Sequence, residues 1–149
     1  MYILNPDIVR FNGERWPGVA SVTIERAAVR LIEDRGDNGP YPEFIDVPEQ
    51  RVTARLVQTL HASDVPGPEL GAFGVLEIWV SSGRSDAARV RLFADAVITG
   101  VRYDLAPLAA AGGRGSTPAP ASRVITFQLA SIDGKADPLA TTLADTGPD

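Results

Sequence analysis

Residues 51–60 read RVTARLVQTL, and this stretch decides the fold class. Val52, Ala54 and Leu56 share one parity, while arginine and threonine fill the other. Strict alternation over this length predicts a half-buried β-strand. The same period of two recurs at residues 19–32, 75–80, 88–93, 96–105 and 124–132.

Turn signals separate these segments and support an all-β chain. Asn12-Gly13 lies between residues 8–11 and 14–16, which is the pattern of a two-residue hairpin turn. About eight strand segments and no long helical pattern follow along the chain. We therefore expect a mainly-β fold: an antiparallel β-sandwich or half-barrel with at most one short helix. A helix over residues 24–32 has compatible spacing, but a strand is preferred because residues 19–24 enter it without an N-cap.

Two of the segments carry side-chain patterns that predict how they face the core. In residues 19–32 the apolar parity switches near Arg26-Ala27, which predicts a bulge or a crossing between sheets there. In residues 96–105 the pattern predicts Val97, Val101, Tyr103 and Leu105 on one face.

The length and the loops predict one domain. A chain of 149 residues is sufficient for one independent core. We expect the domain to span residues 1–135, with a protruding loop at 33–48 and a flexible, low-complexity loop at 106–122. Within 33–48, a short edge strand in which Phe44, Ile45 and Val47 pack back on the core remains an open alternative. Residues 136–149 are expected to form an acidic C-terminal tail.

Charge and hydropathy exclude several classes of function. The net charge of −5 is unfavourable for tight nucleic-acid binding, which requires clustered cations. No apolar run reaches the ~20 residues of a membrane span. The first residues lack the basic and apolar regions of a signal peptide, so we expect cytoplasmic synthesis and no membrane insertion.

Catalytic chemistry is not expected, because the residues that usually supply it are scarce. The chain has no Cys and a single His, His61. Ser63 and Asp64 follow it too closely for triad geometry. Residues 34–39 (DRGDNG) resemble a calcium loop in composition but fail the EF-hand pattern. We therefore predict no enzyme activity, no cofactor and no metal.

Several short segments follow one another in order along most of the chain. They are 12–19 (NGERWPGV), 44–52 (FIDVPEQRV), Ser85-Asp86 before an arginine-rich strand, 97–104 (VITGVRYD) and 130–138 (ASIDGKADP). Together these segments resemble the tube proteins of bacteriophage tails, a group that shares a fold with the tube protein of type VI secretion.

The resemblance implies a structural subunit of a virion. Six copies would pair their sheets edge to edge into a ring, and rings would stack into a conduit for DNA, which passes through without specific binding. Further partners would be the sheath of a contractile tail, the baseplate, the terminator and the tape measure. In the family a protruding loop reaches the adjacent ring, and residues 33–48 are the first candidate, with Tyr41 and Phe44 as anchors. The acidic C-terminal tail is the second candidate.

The candidate contact residues combine this loop with arginines on the strands. They are Asp37, Tyr41, Phe44, Arg51, Arg55, Arg89 and Arg91. The alternating arginines would form basic stripes that contact phosphate, contact carboxylates of a neighbouring subunit, or face solvent.

Two alternatives remain open from the sequence. A related tail protein, such as a tube initiator, a terminator or a baseplate component, would have the same segments. A monomeric carbohydrate-binding module would use Trp16, Trp79, Tyr41 and Tyr103 as a stacking surface.

Overall fold

A computed structural model describes residues 2–60, 67–81, 89–104 and 121–144 of the chain. The described part contains nine β-strands and no helix. The strands are β1 (Tyr2–Leu4), β2 (Ile8–Phe11), β3 (Glu14–Arg15), β4 (Val19–Asp34), β5 (Phe44–Thr59), β6 (Phe73–Ser81), β7 (Arg89–Asp104), β8 (Ser122–Ala130) and β9 (Ala140–Ala144).

All nine strands belong to one antiparallel sheet. Eight of them follow the order β1-β4-β5-β8-β7-β6-β2-β3, and β9 pairs with β7. The sheet is strongly curled, because Phe11 on β2 and Phe127 on β8 lie three strands apart in this order, yet their ring centroids are 5.1 Å apart. The mainly-β, half-barrel prediction is therefore confirmed.

The core fills the concave face of the curled sheet. The most deeply buried side chains come from six strands and are Val9, Val22, Leu56, Ile78, Ile98, Ile125 and Phe127. Trp16 joins them from the segment after β3 and contacts both Phe11 and Phe127 at 5.7 Å. Because successive side chains of a strand point to opposite faces, the alternation of apolar and polar residues produces an apolar concave face and a polar convex face.

The first hairpin forms as the Asn-Gly pair predicts. Asn12 and Gly13 both have positive φ, 54° and 82°, as a type I′ turn requires. The chain then crosses to β4, where the Gly18 carbonyl accepts a hydrogen bond from the Thr59 amide at 2.9 Å.

A buried polar pair closes the same end of the sheet. Gln58 and Arg123 occupy core-facing positions, and the Arg123 guanidinium donates to Gln58 Oε1 at 2.6 Å and 3.2 Å. The Gln58 amide in turn donates to the Pro17 carbonyl at 2.8 Å. These hydrogen bonds satisfy side chains that burial would otherwise penalise.

β4 and β5 form a much longer hairpin than the sequence indicates. The loop between them covers only residues 35–43, so part of the predicted 33–48 loop is strand. The register shifts lie between Val19 and Ser21, between Ala28 and Arg30 and between Arg30 and Ile32, and the last two are just beyond the predicted position at Arg26-Ala27. Pro48 lies opposite the shift between Arg30 and Ile32, where a missing amide donor is tolerated.

β7 is one continuous strand rather than the two predicted segments at 88–93 and 96–105. A shift between Ile98 and Gly100 in its pairing with β8 changes the parity of the side chains. Val101 and Tyr103 therefore pair with the core-facing Ile125 and Arg123, whereas Val97 pairs with Gln128 on the convex face. The prediction that Val97 shares a face with Val101 and Tyr103 is wrong, because a bulge inverts the alternation.

The predicted acidic tail contributes to the sheet. β8 pairs with Asp95 to Asp104 of β7, and β9 continues along the same strand from Phe93 to Arg89. Residues 131–139 leave the sheet between them as a loop. The structural unit thus extends beyond residue 135, since an unpaired stretch of β7 would leave backbone groups unsatisfied.

Several sequence predictions concern residues outside the described part. They are His61 with Ser63 and Asp64, Leu105, the flexible loop over 106–120, Ser85-Asp86, and residues 145–149 of the acidic tail.

The position of Phe127 at the aromatic centre of the core predicts that its substitution destabilises the protein far more than substitution of the exposed Phe73. Phe127→Ala is expected to lower the free energy of unfolding by about 3–5 kcal/mol, because it leaves a cavity between Phe11 and Trp16. Phe73→Ala, at a side chain that is 62% exposed, should cost within about 0.5 kcal/mol. Urea unfolding followed by far-UV circular dichroism measures both. Equal losses would contradict this description of the core.

Candidate assembly interface

The distal half of the β4–β5 hairpin projects beyond the core. Burial on β4 ends at Ile24 and on β5 begins at Val52. We call the remainder, residues 25–51, the arm. Its β4 strand, residues 25–34, is about 33 Å long at 3.3 Å per residue. Val47, Gly36 and Pro42 are half-buried, and every other arm residue is exposed.

The arm carries large apolar side chains that the subunit does not bury. Their exposed fractions range from 44% to 81%, and they are Val29, Leu31, Ile32, Tyr41, Phe44 and Ile45. Single exposed apolar residues are ordinary, but a cluster of six on one projecting element marks a contact surface.

Both backbone edges of the arm are unpaired within the described chain. β1 covers β4 only from Val22 to Ile24, and β8 covers β5 only from Thr53 to Thr59. Free amide and carbonyl groups on such edges form a template for another strand. The arm therefore presents apolar side chains and open hydrogen-bonding edges together.

The end of the arm is acidic. Residues 33–46, which we call the tip, contain five carboxylates and one arginine. Arg35 lies 4.0 Å from Glu33, and Arg30 lies 3.7 Å from Glu49 further down the arm. These exposed pairs contribute little to stability. The tip thus has a net charge of −4 in a small volume.

The structure brings together three of the seven predicted contact residues. Asp37, Tyr41 and Phe44 all lie on the tip and are exposed. Arg51 and Arg55 lie at and below the base of the arm on β5, both exposed, with no ion pair among the described residues. Arg89 and Arg91 lie on β7, on a separate part of the convex face.

Arg91 belongs to a compact cluster on the convex face. Its guanidinium pairs with Glu77 at 3.0 Å and lies over the rings of Phe93, at 4.6 Å, and Trp79, at 5.9 Å. Trp79 is buried beneath the Arg91 guanidinium, with a relative exposure of 8%. The Trp79 indole donor has no hydrogen-bond acceptor within the described part of the chain.

Sequence reasoning missed two arginines next to this cluster. Arg10 on β2 lies directly opposite Arg15 on β3, and its other neighbour in the sheet is Glu77. We call Arg10, Arg15, Arg89 and Arg91 together the basic face. The pairing of these two arginines could have been predicted from the hairpin, because a two-residue Asn-Gly turn at 12–13 places residues 10 and 15 opposite each other.

The 131–139 loop is fastened by two aspartates. Asp133 accepts hydrogen bonds from the amides of Lys135 and Ala136, both at 2.8 Å. Asp137 accepts from the Leu139 amide at 3.0 Å and from Arg26 Nη2, at the base of the arm, at 2.8 Å. A cleft of about 450 Å³ lies between this loop and the arm base.

These hydrogen bonds shift both carboxyl groups toward ionisation. The amides of Ala136 and Lys135 lower the pKa of Asp133 below its ordinary value of 3.8. The Leu139 amide, followed by the Arg26 guanidinium, lowers the pKa of Asp137 in the same direction. The folded loop therefore favours the charged aspartates.

The four aromatic residues considered for carbohydrate binding do not share one surface. Trp16 packs in the concave core against Phe11 and Phe127. Trp79 lies on the opposite, convex face and is covered by Arg91. Tyr41 is at the tip of the arm, so stacking on a common sugar chain is not possible with all four.

Within the described ranges, no cluster of three or more His, Asp or Glu side chains has metal-binding geometry. Across the same residues, no helix is long and apolar enough to cross a membrane.

Comparison with known proteins gives no further identification. No protein-family model matches the chain. No curated protein matches it either.

The loop contacts predict a pH dependence. Because the folded pKa values of Asp133 and Asp137 are lowered, their stabilising contribution is present above about pH 3.8 and is lost as the pH falls through the folded values. Amide hydrogen exchange should show Lys135, Ala136 and Leu139 losing protection between pH 6 and pH 2. The Leu56 amide, in the β5–β8 ladder, should stay protected over a wider range. Unchanged protection of the loop amides would contradict the assignment.

Proposed function

We propose that this protein is a self-assembling structural subunit, a phage tail tube protein whose rings stack around a DNA conduit. The observation that carries the proposal is the arm. It is a paired strand ladder whose apolar side chains and backbone edges find no partner within the described subunit. This supports an assembly role over catalysis or small-ligand binding.

The energetics of the arm favour a partner. An isolated two-stranded hairpin is marginally stable in water, and the arm receives little help from the core. Burying an exposed Leu or Phe side chain contributes about 1.5–3 kcal/mol. Six such side chains would offset part of the ordering cost of the arm once a neighbouring subunit covers them.

The free edges favour repetition of one contact. One edge of the arm belongs to β4 and the other to β5. If the β4 edge of one copy pairs with the β5 edge of the next, the two contact surfaces are different. A head-to-tail contact of this kind generates a closed ring or a filament. Closing the ring removes every free edge, which is the usual solution to edge strands. The resemblance to tail tube proteins sets the expected number at six.

A tube initiator, terminator or baseplate component would use the same arm, and these remain members of the proposed class. A monomeric carbohydrate-binding function is not favoured, because Trp16 is in the core and Trp79 is covered.

The first prediction of this proposal concerns the assembly state. Concentrated purified protein is expected to form uniform rings or hollow filaments in negative-stain electron microscopy. Six copies of the 15.8 kDa chain give a ring of about 95 kDa, which native mass spectrometry measures. Dispersed monomers at every concentration would contradict the proposal.

The second prediction tests the arm. The double variant Leu31→Lys/Phe44→Lys is expected to raise the concentration needed for assembly by about tenfold or more, because charged groups replace apolar contacts. Its unfolding free energy should stay within about 0.5 kcal/mol of the parent, since both side chains are exposed. Sedimentation velocity and urea unfolding measure the two quantities.

The matched control is Ile132→Lys. Ile132 is 95% exposed but lies on the 131–139 loop outside the arm. This variant should assemble like the parent. If Ile132→Lys and the arm variant lost assembly equally, the arm would not be the contact element.

A further inference from the structure

We infer that the basic face, formed by Arg10, Arg15, Arg89 and Arg91, receives the acidic tip of a second copy of this chain. The inference rests on the proposed function, because it names the surface on which the arm of a neighbouring subunit ends. It goes beyond that function by assigning both members of the contact and the charge that joins them.

Among the described residues, the basic face has more cations than paired carboxylates. Arg10 and Arg15 are directly opposite each other on adjacent strands, and like charges in this position are destabilising. The carboxylate beside Arg10 in the sheet, Glu77, is already paired with Arg91 at 3.0 Å. Arg89 lies 4.0 Å from Asp7. Within the described part of the chain, the ion pairs of these four arginines thus involve two carboxylates, and an external anion would relieve the excess.

The tip has the complementary charge and the reach to supply that anion. Asp37 and Glu43 have no ion pair among the described residues, and the only cation of the tip is Arg35. Tyr41 is 81% exposed between them. Opposite charges set the orientation of such a contact and suppress wrong pairings.

Aromatic groups occur on both sides of the proposed contact. Phe93 and Trp79 lie under the Arg91 guanidinium on the convex face, and Tyr41 lies at the tip. Arginine and aromatic side chains are enriched where protein surfaces meet. A contact between Tyr41 and the Arg91 cluster would therefore add packing to the charge complementarity.

A second copy is the occupant that the charges favour. No ion pair joins the tip to any arginine of the basic face within the described part of one subunit. The tip and the basic face are different surfaces, so a contact between copies is head-to-tail and leaves one tip and one face free for the next copy. The same geometry supports the ring or filament proposed above.

The test is a charge exchange between two variants. Variant one is Asp37→Lys/Glu43→Lys, and variant two is Arg15→Glu. Each alone places like charges at the contact, so each should require a concentration on the order of 100-fold higher for assembly. Mixed in equal amounts, the reversed tip of variant one meets the reversed face of variant two. The mixture should recover assembly to within about tenfold of the parent in sedimentation velocity.

Two controls separate the contact from a folding defect. Arg15→Glu converts a like-charge cross-strand pair with Arg10 into an opposite-charge pair, so its thermal midpoint should equal or exceed that of the parent. Lys135→Glu makes the same charge change at an exposed residue of the 131–139 loop. This variant should assemble normally and should not rescue variant one.

The outcomes distinguish this inference from the proposed function. If the parent assembles but the mixture does no better than either variant, the basic face is not the receiving surface and the proposed function stands. If the parent and the mixture both stay monomeric, both proposals are wrong. If a short DNA duplex binds the parent, Arg15→Glu abolishes that binding, and the mixture fails to assemble, the basic face is a nucleic-acid surface and the inference is overturned.

Discussion

The packing of Phe127 against Phe11 and Trp16 holds the curled sheet together at its centre. Strands β2 and β8 are three positions apart in the sheet, yet the rings of Phe11 and Phe127 on these strands are in contact. The sheet must therefore curl, and a single concave face encloses the core. Everything on the other face, including every arginine of the basic face, is left on the convex surface. Curvature thus separates the residues that stabilise the subunit from those available to a partner.

The arm follows from the same constraint. A curled sheet covers only the part of β4 and β5 that lies over its concave side, so burial stops at Ile24 and Val52. Beyond these residues the two strands continue to pair with each other, because leaving their amides and carbonyls unpaired would cost more. In the arm, the backbone groups of β4 and β5 that face each other are therefore hydrogen-bonded. The backbone groups on the two outer edges have no strand partner within the described residues. Its apolar side chains have no place in the core of their own subunit.

The 131–139 loop links the arm to the other half of the sheet. Asp137 binds Arg26 at the arm base, and the chain on either side of the loop pairs with β7. A carboxylate held by a backbone amide and a guanidinium is well suited to fix the loop at neutral pH, since both donors favour its charged form. At its base the arm is therefore attached to the 131–139 loop by the polar contact between Arg26 and Asp137, not by apolar packing.

The β class, the Asn-Gly hairpin and most of the core-facing residues could be predicted from the amino-acid sequence, because alternation and turn chemistry are local. The sequence also placed Asp37, Tyr41 and Phe44 on one protruding element. Only the tertiary structure decided that β4 and β5 run on to residues 34 and 44, that a bulge at residues 98–100 turns Val97 outward, and that β9 completes the edge of β7. Each of these depends on which strand becomes a neighbour. Pairing between distant segments, and the burial that follows from it, is not encoded in any short stretch of the chain.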